Sequence, residues 1–375
     1  MNPVRVIALG WVAILCTATV RAAVVPSVEV SSETQFSPDI TLTQTTGAWT
    51  DRREALEWTL AVSGATTSLD YLPVPEDIFG SAVTLNEPRI SGLATLRYAV
   101  ASSWTVLATA GAYHGFADYQ SLWISEFYRQ SFAGLPGLED PDPRGAFGSA
   151  GVRWEYRTGT GFVESSIIRA HDVIAPGYDE VIDPDQGLVA VQPLRSELIT
   201  LAWSTKFENV LTRRLRSQLE FRMAGQSETG LRLSGIGSLL YAPAEHWVLR
   251  GEAGYTTEAP EEVEGSTASR FRAGWGSLVA DRRLGEHWWL SLSVRGYRDN
   301  GEIQDSISFS TSAPPLTAWQ FAAGLRGVWD RHSFKISGGP YLTDYGAVDF
   351  STLFFANLYR DRNFGVVQAA YRFEF

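Results

Sequence analysis

Val367-Gln368-Ala369-Ala370-Tyr371-Arg372-Phe373-Glu374-Phe375 is the stretch from which the rest of the chain can be read. Apolar residues recur at every second position, and a β-strand turns successive side chains to opposite faces. Val367, Ala369, Tyr371, Phe373 and Phe375 therefore share one face, while Gln368, Arg372 and Glu374 share the other. Such a strand separates an apolar medium from water along its whole length.

The same pattern repeats upstream. From about residue 55, stretches of roughly ten alternating residues are joined in turn by a tight turn and by a longer polar loop. Trp319, Phe321, Ala323, Leu325, Gly327 and Trp329 alternate with Gln320, Ala322, Gly324, Arg326 and Val328. Leu215, Leu219, Phe221 and Met223 alternate with Arg216, Gln218, Glu220 and Arg222. Ile199, Leu201, Trp203 and Phe207 alternate with Thr200, Ala202, Ser204 and Lys206. About fourteen strands follow from this spacing, the first near 55–65 and the last near 364–375. The stretch 161–171 is ambiguous, because either phase turns Glu164 or Arg169 outward. Short turns lie near 101–102, 159–160, 209–212, 243–245, 283–285 and 331. Longer loops lie at 66–88, 116–146, 172–196, 258–267, 299–315 and 345–363, with one short outer connection at 225–228.

Composition restricts how such strands can be used. The chain has 375 residues, 45% apolar and 12% aromatic, with a formal net charge of -11. Arg5, the mostly apolar run Val6 to Val20 and Val20-Arg21-Ala22 read as a signal peptide over 1–22. The one cysteine, Cys16, lies inside it after the bulky Leu15, which does not suit a lipoprotein. The mature chain then holds no disulfide and no thiolate metal site. No later stretch approaches the ~18 apolar residues of a membrane helix. Only helices and closed β-barrels satisfy their backbone in lipid, so an exported chain of alternating strands has the barrel open to it. Residues 23–54 are polar, and read as a periplasmic extension, a small plug or an extra hairpin that would raise the strand count to sixteen. Thirteen tryptophans suit interfacial belts. Aromatics opening strands after short turns, as in Trp104 to Tyr113, Trp247 to Tyr255, Trp288 to Tyr297 and Phe334 to Tyr341, suggest two aromatic levels.

The final strand, apolar on one face, charged on the other and ended by Phe375, resembles the closing strand of Gram-negative outer-membrane β-barrels. The resemblance covers roughly residues 55–375 and holds for the class, porin-like proteins included. It implies one antiparallel transmembrane β-barrel, located in the outer membrane after signal-peptide export. It also implies that Tyr371, Phe373 and Phe375 are the signal read by the barrel-assembly machinery. Outer-membrane lipid and lipopolysaccharide would be its surroundings.

The charges suggest what the barrel encloses. Only Lys206 and Lys335 are lysines among 31 basic residues. Alternation turns Arg97, Arg153, Arg157, Arg222, Arg232, Arg250, Arg272, Arg295, Arg326 and Arg372 inward, with Glu57, Glu155, Glu220, Glu252 and Glu374 beside them. Arginine facing lipid at the midplane costs ~2–4 kcal/mol, which favours this placement. These residues either line a water-filled path for anionic or polar solutes, or pair across strands and close it. Acids gather in the long loops, among them Asp179, Glu180, Asp183 and Asp185. Their spacing does not match an EF-hand, and a solvated face is the simpler reading.

Catalysis leaves little trace. His246, His287 and His332 recur at short turns, which suits an interfacial role. His114 and His171 fall near the outer rim, where a hydrolase would need a paired acid that the sequence does not display. Thr158-Gly159-Thr160-Gly161-Phe162 joins two strands and reads as a hairpin rather than a phosphate loop. No nucleic-acid surface and no cofactor site is expected. The expected function is a porin-like passive channel for small polar or anionic solutes. The alternatives are a non-transporting surface-binding or structural barrel with acidic loops, or a rim hydrolase using His114 or His171.

Overall fold

A strand in lipid can leave no backbone N–H or C=O unpaired, so a membrane-spanning sheet has to close on itself. The computed structural model describes residues 26–374, apart from 39, 72–82, 117–141, 158, 184–186, 228–229, 260–270, 302–313, 347–360 and 362. Sixteen antiparallel strands form a single closed barrel in which each strand pairs with its sequence neighbours and the first pairs with the last. They are β1 (Ser27–Phe36), β2 (Ile40–Arg53), β3 (Leu56–Tyr71), β4 (Val83–Ala101), β5 (Trp104–His114), β6 (Arg144–Arg157), β7 (Gly161–Asp183) and β8 (Gly187–Thr212). The second half comprises β9 (Leu215–Gln226), β10 (Gly230–Ala244), β11 (Trp247–Glu258), β12 (Phe271–Arg283), β13 (Trp288–Asp299), β14 (Leu316–Trp329), β15 (His332–Tyr345) and β16 (Asn363–Glu374).

Residues 27–53 form the extra hairpin, so the barrel begins at Ser27 and not at 55. β1 pairs with β16 from Glu29↔Glu374 to Phe36↔Val367 and with β2 along its whole length. The hairpin reads as polar because Ser32, Thr34, Thr41, Thr43 and Thr45 put hydroxyls on its outer face between Val30 and Phe36 of β1 and before Trp49 of β2. Those hydroxyls satisfy one another: Thr43 Oγ1 donates to Thr34 Oγ1 at 3.2 Å, and Ser32 and Thr45 pair at 3.2 Å. Paired hydroxyls escape most of the cost that an orphan polar group carries in an apolar medium. The signal segment 1–22 and Phe375 lie outside the described residues.

Alternation holds through the barrel. Trp319, Phe321, Leu219, Phe221, Met223, Leu201, Trp203, Val367 and Tyr371 are all exposed on the outer surface. Large residues exposed on a barrel's outside are what a lipid-facing wall requires. Close to the short turns, rings pack in pairs: Trp49 against Trp58 at 4.4 Å, Trp104 against Trp154 at 6.0 Å and Trp288 against Trp329 at 4.9 Å. This is one aromatic level. At the other level the tyrosines divide, with Tyr255 outward on the lipid face while Tyr113 and Tyr341 share the inner face with Arg89 and Gln320.

Two features differ from the sequence reading. The region 172–196, expected as a loop, continues β7 and β8 as a paired hairpin up to Asp183 and Gly187. Pro176 sits in the irregularity between Ile174 and Gly177, where a missing N–H costs no ladder bond. In the ambiguous 161–171 stretch, Glu164 faces inward opposite Arg153 and Lys206, and Arg169 faces outward opposite Gly148 and Leu201. Ser165, also outward, accepts from Trp203 Nε1 at 2.9 Å and from Thr205 Oγ1 at 3.1 Å. Gly159 holds the turn before β7 with φ 68, a left-handed conformation that glycine adopts without strain.

Closure through β1 gives a direct test. Ser32→Pro removes a ladder donor from a strand paired on both sides, so the purified variant should lose heat-modifiable migration on semi-native gels. A segment merely appended to a fourteen-stranded barrel would tolerate the change.

Candidate functional site: the inner wall

The inner wall is built by register. Residues paired across strands point to the same side, so each ladder carries one inward set around the barrel. Arg97, Arg153, Glu155, Glu220, Arg222, Arg250, Glu252, Arg295, Arg326, Arg372 and Glu374 all occupy the inward set. Arg232 does too, at the far end from the short turns, where its guanidinium clasps the buried Glu258 with Nε at 2.7 Å.

Two expected wall residues lie elsewhere. Arg272 pairs with Thr257, whose own partner Leu233 is exposed on the outside, so Arg272 is on the lipid face. The phase of β12 misleads because Phe271 and Trp275, which look lipid-facing, turn inward. The Trp275 ring lies over Gly254, where a Cβ would come within 2.5 Å of it. Arg157 follows an irregularity between Trp154 and Arg157 and pairs with Gly161 at the short turn, so alternation no longer carries it into the wall.

The inward charges divide into two regions. On β4 to β9 a cavity of about 390 Å³ is lined by Arg97, Arg153, Lys206 and Arg216 together with Glu155, Glu164 and Glu208. Here cations and carboxylates nearly balance. Arg153 bonds Glu155 at 3.2 Å and lies over the buried Phe162 ring at 3.6 Å, and Lys206 stands 5.9 Å from the same ring. Arg216 reaches Glu208 at 3.4 Å. Partial burial among opposite charges makes this side a cross-braced wall.

The opposite side, β11 to β16 with β1 and β2, encloses a cavity of about 740 Å³. Arg250, Arg295, Arg326 and Lys335 line it with a single carboxylate, Asp281, which already accepts from Ser291 Oγ. Among the described residues none of these four cations has a carboxylate at ion-pair distance. Arg326 instead faces the Trp289 ring at 5.1 Å. Between the cations stand Ser277, Ser293, Gln320, Ser337 and Gln368. Water-facing charges, hydroxyls and amides on one surface can hold a hydrated anion without burying it.

The barrel seam is fastened from inside. Arg372 bonds Glu29 at 2.8 Å across β16 and β1, and Gln368 Nε2 donates to Glu33 at 3.1 Å. Tyr371 and Phe373 face outward at the same seam, each in contact with the His332 ring.

The sequence places Arg216 and Lys206 opposite the outward apolar sets and leaves Glu164 ambiguous, but it does not single out Lys335, Asp281 or Glu208 as wall residues. Lys335 was detectable, since it sits between the outward Phe334 and Ile336 and opposite Arg326. His114 and His171 lie at the outer rim on the lipid side, His114 2.6 Å from Asp142 and His171 3.4 Å from Glu197. Of the third-loop acids, Asp179, Glu180 and Asp183 fall on β7, and Asp185 lies outside the described residues.

No sequence family and no curated protein matches this chain. Its fold is similar to that of a bacterial polysaccharide outer membrane secretin, with a TM-score of 0.50 and 8% identity, covering 95% of this chain and 100% of that one. It is also similar to CdiB from Acinetobacter baumannii, with a TM-score of 0.53 and 8% identity, covering 95% of this chain and 61% of that one. At such identity the likeness is one of fold. The chain is a closed antiparallel β-barrel of the bacterial outer-membrane type.

The two walls should respond differently to mutation. Arg153→Ala removes an ion pair and a ring contact and should cost about 1–2 kcal/mol of stability. Arg326→Ala, on the unpaired side, should leave the urea midpoint nearly unchanged. Unfolding followed by tryptophan fluorescence measures both.

Proposed function

We propose that the protein is a passive outer-membrane channel for small polar solutes, with a preference for anions. The observation that carries this reading is the cationic wall of Arg250, Arg295, Arg326 and Lys335, without ion-pair partners among the described residues and beside one engaged carboxylate. A wall needed only to brace the barrel would neutralise its charges, as the β4 to β9 side does. Four cations facing water attract counter-ions, and the serines and glutamines between them replace part of a solute's hydration shell. The same lining suits acidic sugars. That extension is favoured by the likeness in fold to a bacterial polysaccharide outer membrane secretin.

Three further elements belong to this reading. Residues 1–22 serve as the export signal. Tyr371, Phe373 and Phe375 engage the barrel-assembly machinery. The protein is not an enzyme, and His114 and His171 are polar rim groups.

Planar-bilayer recording tests the proposal. Folded protein should give discrete channels with a reversal potential favouring anions under a salt gradient. Arg295→Glu with Arg326→Glu should move that potential towards cation preference. Folded protein without discrete conductance would remove the channel reading and leave a structural barrel.

A further inference from the structure

The outer surface of the barrel is not uniformly bulky. On β9 to β14 the lipid-facing positions Gly237, Gly251, Ala253, Gly274, Gly276 and Gly296 carry little or no side chain. Their absence leaves a groove of about 940 Å³ in the lipid-facing wall. Leu219, Leu239, Leu278, Val294 and Trp319 form its sides, and Leu278 is 64% exposed there. The groove is open along the lipid side, so it can receive hydrocarbon chains from the bilayer.

The groove has a charged end. Arg298 lines it, and Arg272 stands on the neighbouring strand, since Gly274 is the register partner of Arg298. That makes the two arginines diagonal neighbours, with backbones about 7–8 Å apart. Both are exposed on the lipid face, and neither has a carboxylate at ion-pair distance among the described residues. Asp344, also outward, is separated from Arg298 by Thr317 on β14.

Depth gives the pair its meaning. β13 runs from Trp288, in the aromatic level at the short turns, up to Arg298. Ten residues at ~3.3 Å rise and ~40° tilt place Arg298 roughly 25 Å above that level. This is the thickness of the apolar band, so the arginines sit at the headgroup level on the side of the longer connections. In an outer-membrane barrel that side is the outer leaflet.

We propose that this groove is a binding site for a phosphorylated, multiply acylated lipid of the outer leaflet, the lipid A moiety of lipopolysaccharide. Acyl chains fill the groove, where they replace the missing side chains against Leu239, Leu278 and Val294. Arg272 and Arg298 hold a phosphate, for which paired guanidinium groups are well suited. Two arginines on a lipid-facing surface, with no carboxylate at ion-pair distance among the described residues, favour an anion, and the groove beneath them favours an apolar tail. One lipid supplies both. The site is independent of conduction, because it lies on the opposite face of the wall from the channel lining.

The test uses purified full-length protein in detergent, titrated with bis-phosphorylated lipid A and read by native mass spectrometry. Wild type should retain one tightly bound lipid A. Arg272→Ala with Arg298→Ala should weaken retention at least tenfold, as should removal of both phosphates from the lipid. Gly276→Leu fills the groove while leaving the arginines in place. Its Cβ would meet only the Glu252 carbonyl at 3.6 Å, so the strand accepts it, and retention should again fall at least tenfold. Heat-modifiable migration confirms that each variant is folded. Equal retention by wild type and the arginine variant, or by dephosphorylated lipid A, would overturn the site. Wild-type retention by Gly276→Leu would also overturn it, because it would mean a headgroup contact without an acyl groove.

Discussion

Every feature of this protein depends on the pairing of β1 with β16. Without it the sheet would expose two rows of backbone N–H and C=O groups to lipid, each costing several kcal/mol. Closure removes both edges at once. It also fixes which side of each residue is inside, because the ladder transmits one inward set around the whole circumference. The seam carries its own polar fastening on the inside, in Arg372 to Glu29 and Gln368 to Glu33. On the outside, Tyr371 and Phe373 pack against His332. The terminal strand thus combines closure, an aromatic outer face and part of the charged inner wall.

Once the inside is defined, its charges sort by chemistry. Balanced charges on β4 to β9 brace one half of the wall, with Arg153 held by both Glu155 and the Phe162 ring. In the cavity on the other half, four cations stand with one carboxylate and face the lumen. The two readings of the arginines available from sequence, pairing and solute attraction, therefore apply to different sectors of one barrel. The outer face is likewise divided. Most of it is bulky and apolar, while the β9 to β14 sector is hollow and ends in arginines.

The fold was legible because lipid enforces a two-residue period, and in strands such as Trp319 to Trp329 the large apolar residues other than Val328 fall on one face. The departures have identifiable causes. β1 and β2 escaped assignment to the barrel because hydroxyls on their outer face satisfy each other, which a hydropathy pattern cannot register. Residues 172–196 looked like a loop because Pro176, Gly177 and several acids punctuate them, yet a bulge absorbs the proline and the ladder continues. Arg272 was placed on the wrong face because β12 has apolar residues in both phases, and its neighbours' register, not its own pattern, decides between them. The cationic sector was only half visible: each arginine could be assigned inward singly, but which of them lack partners depends on cross-strand neighbours far apart in sequence.

The seam itself can be measured. The only cysteine is Cys16, so Thr34→Cys with Ala369→Cys introduces a pair at facing positions of β1 and β16. Their backbones, about 4.5–5.5 Å apart as in any antiparallel pair, lie within disulfide reach. Folded protein from outer-membrane fractions should form this intramolecular disulfide under mild oxidation, and each single variant should not. Failure of the pair to cross-link in folded protein would contradict closure through β1 and, with it, the assignment of the inner wall.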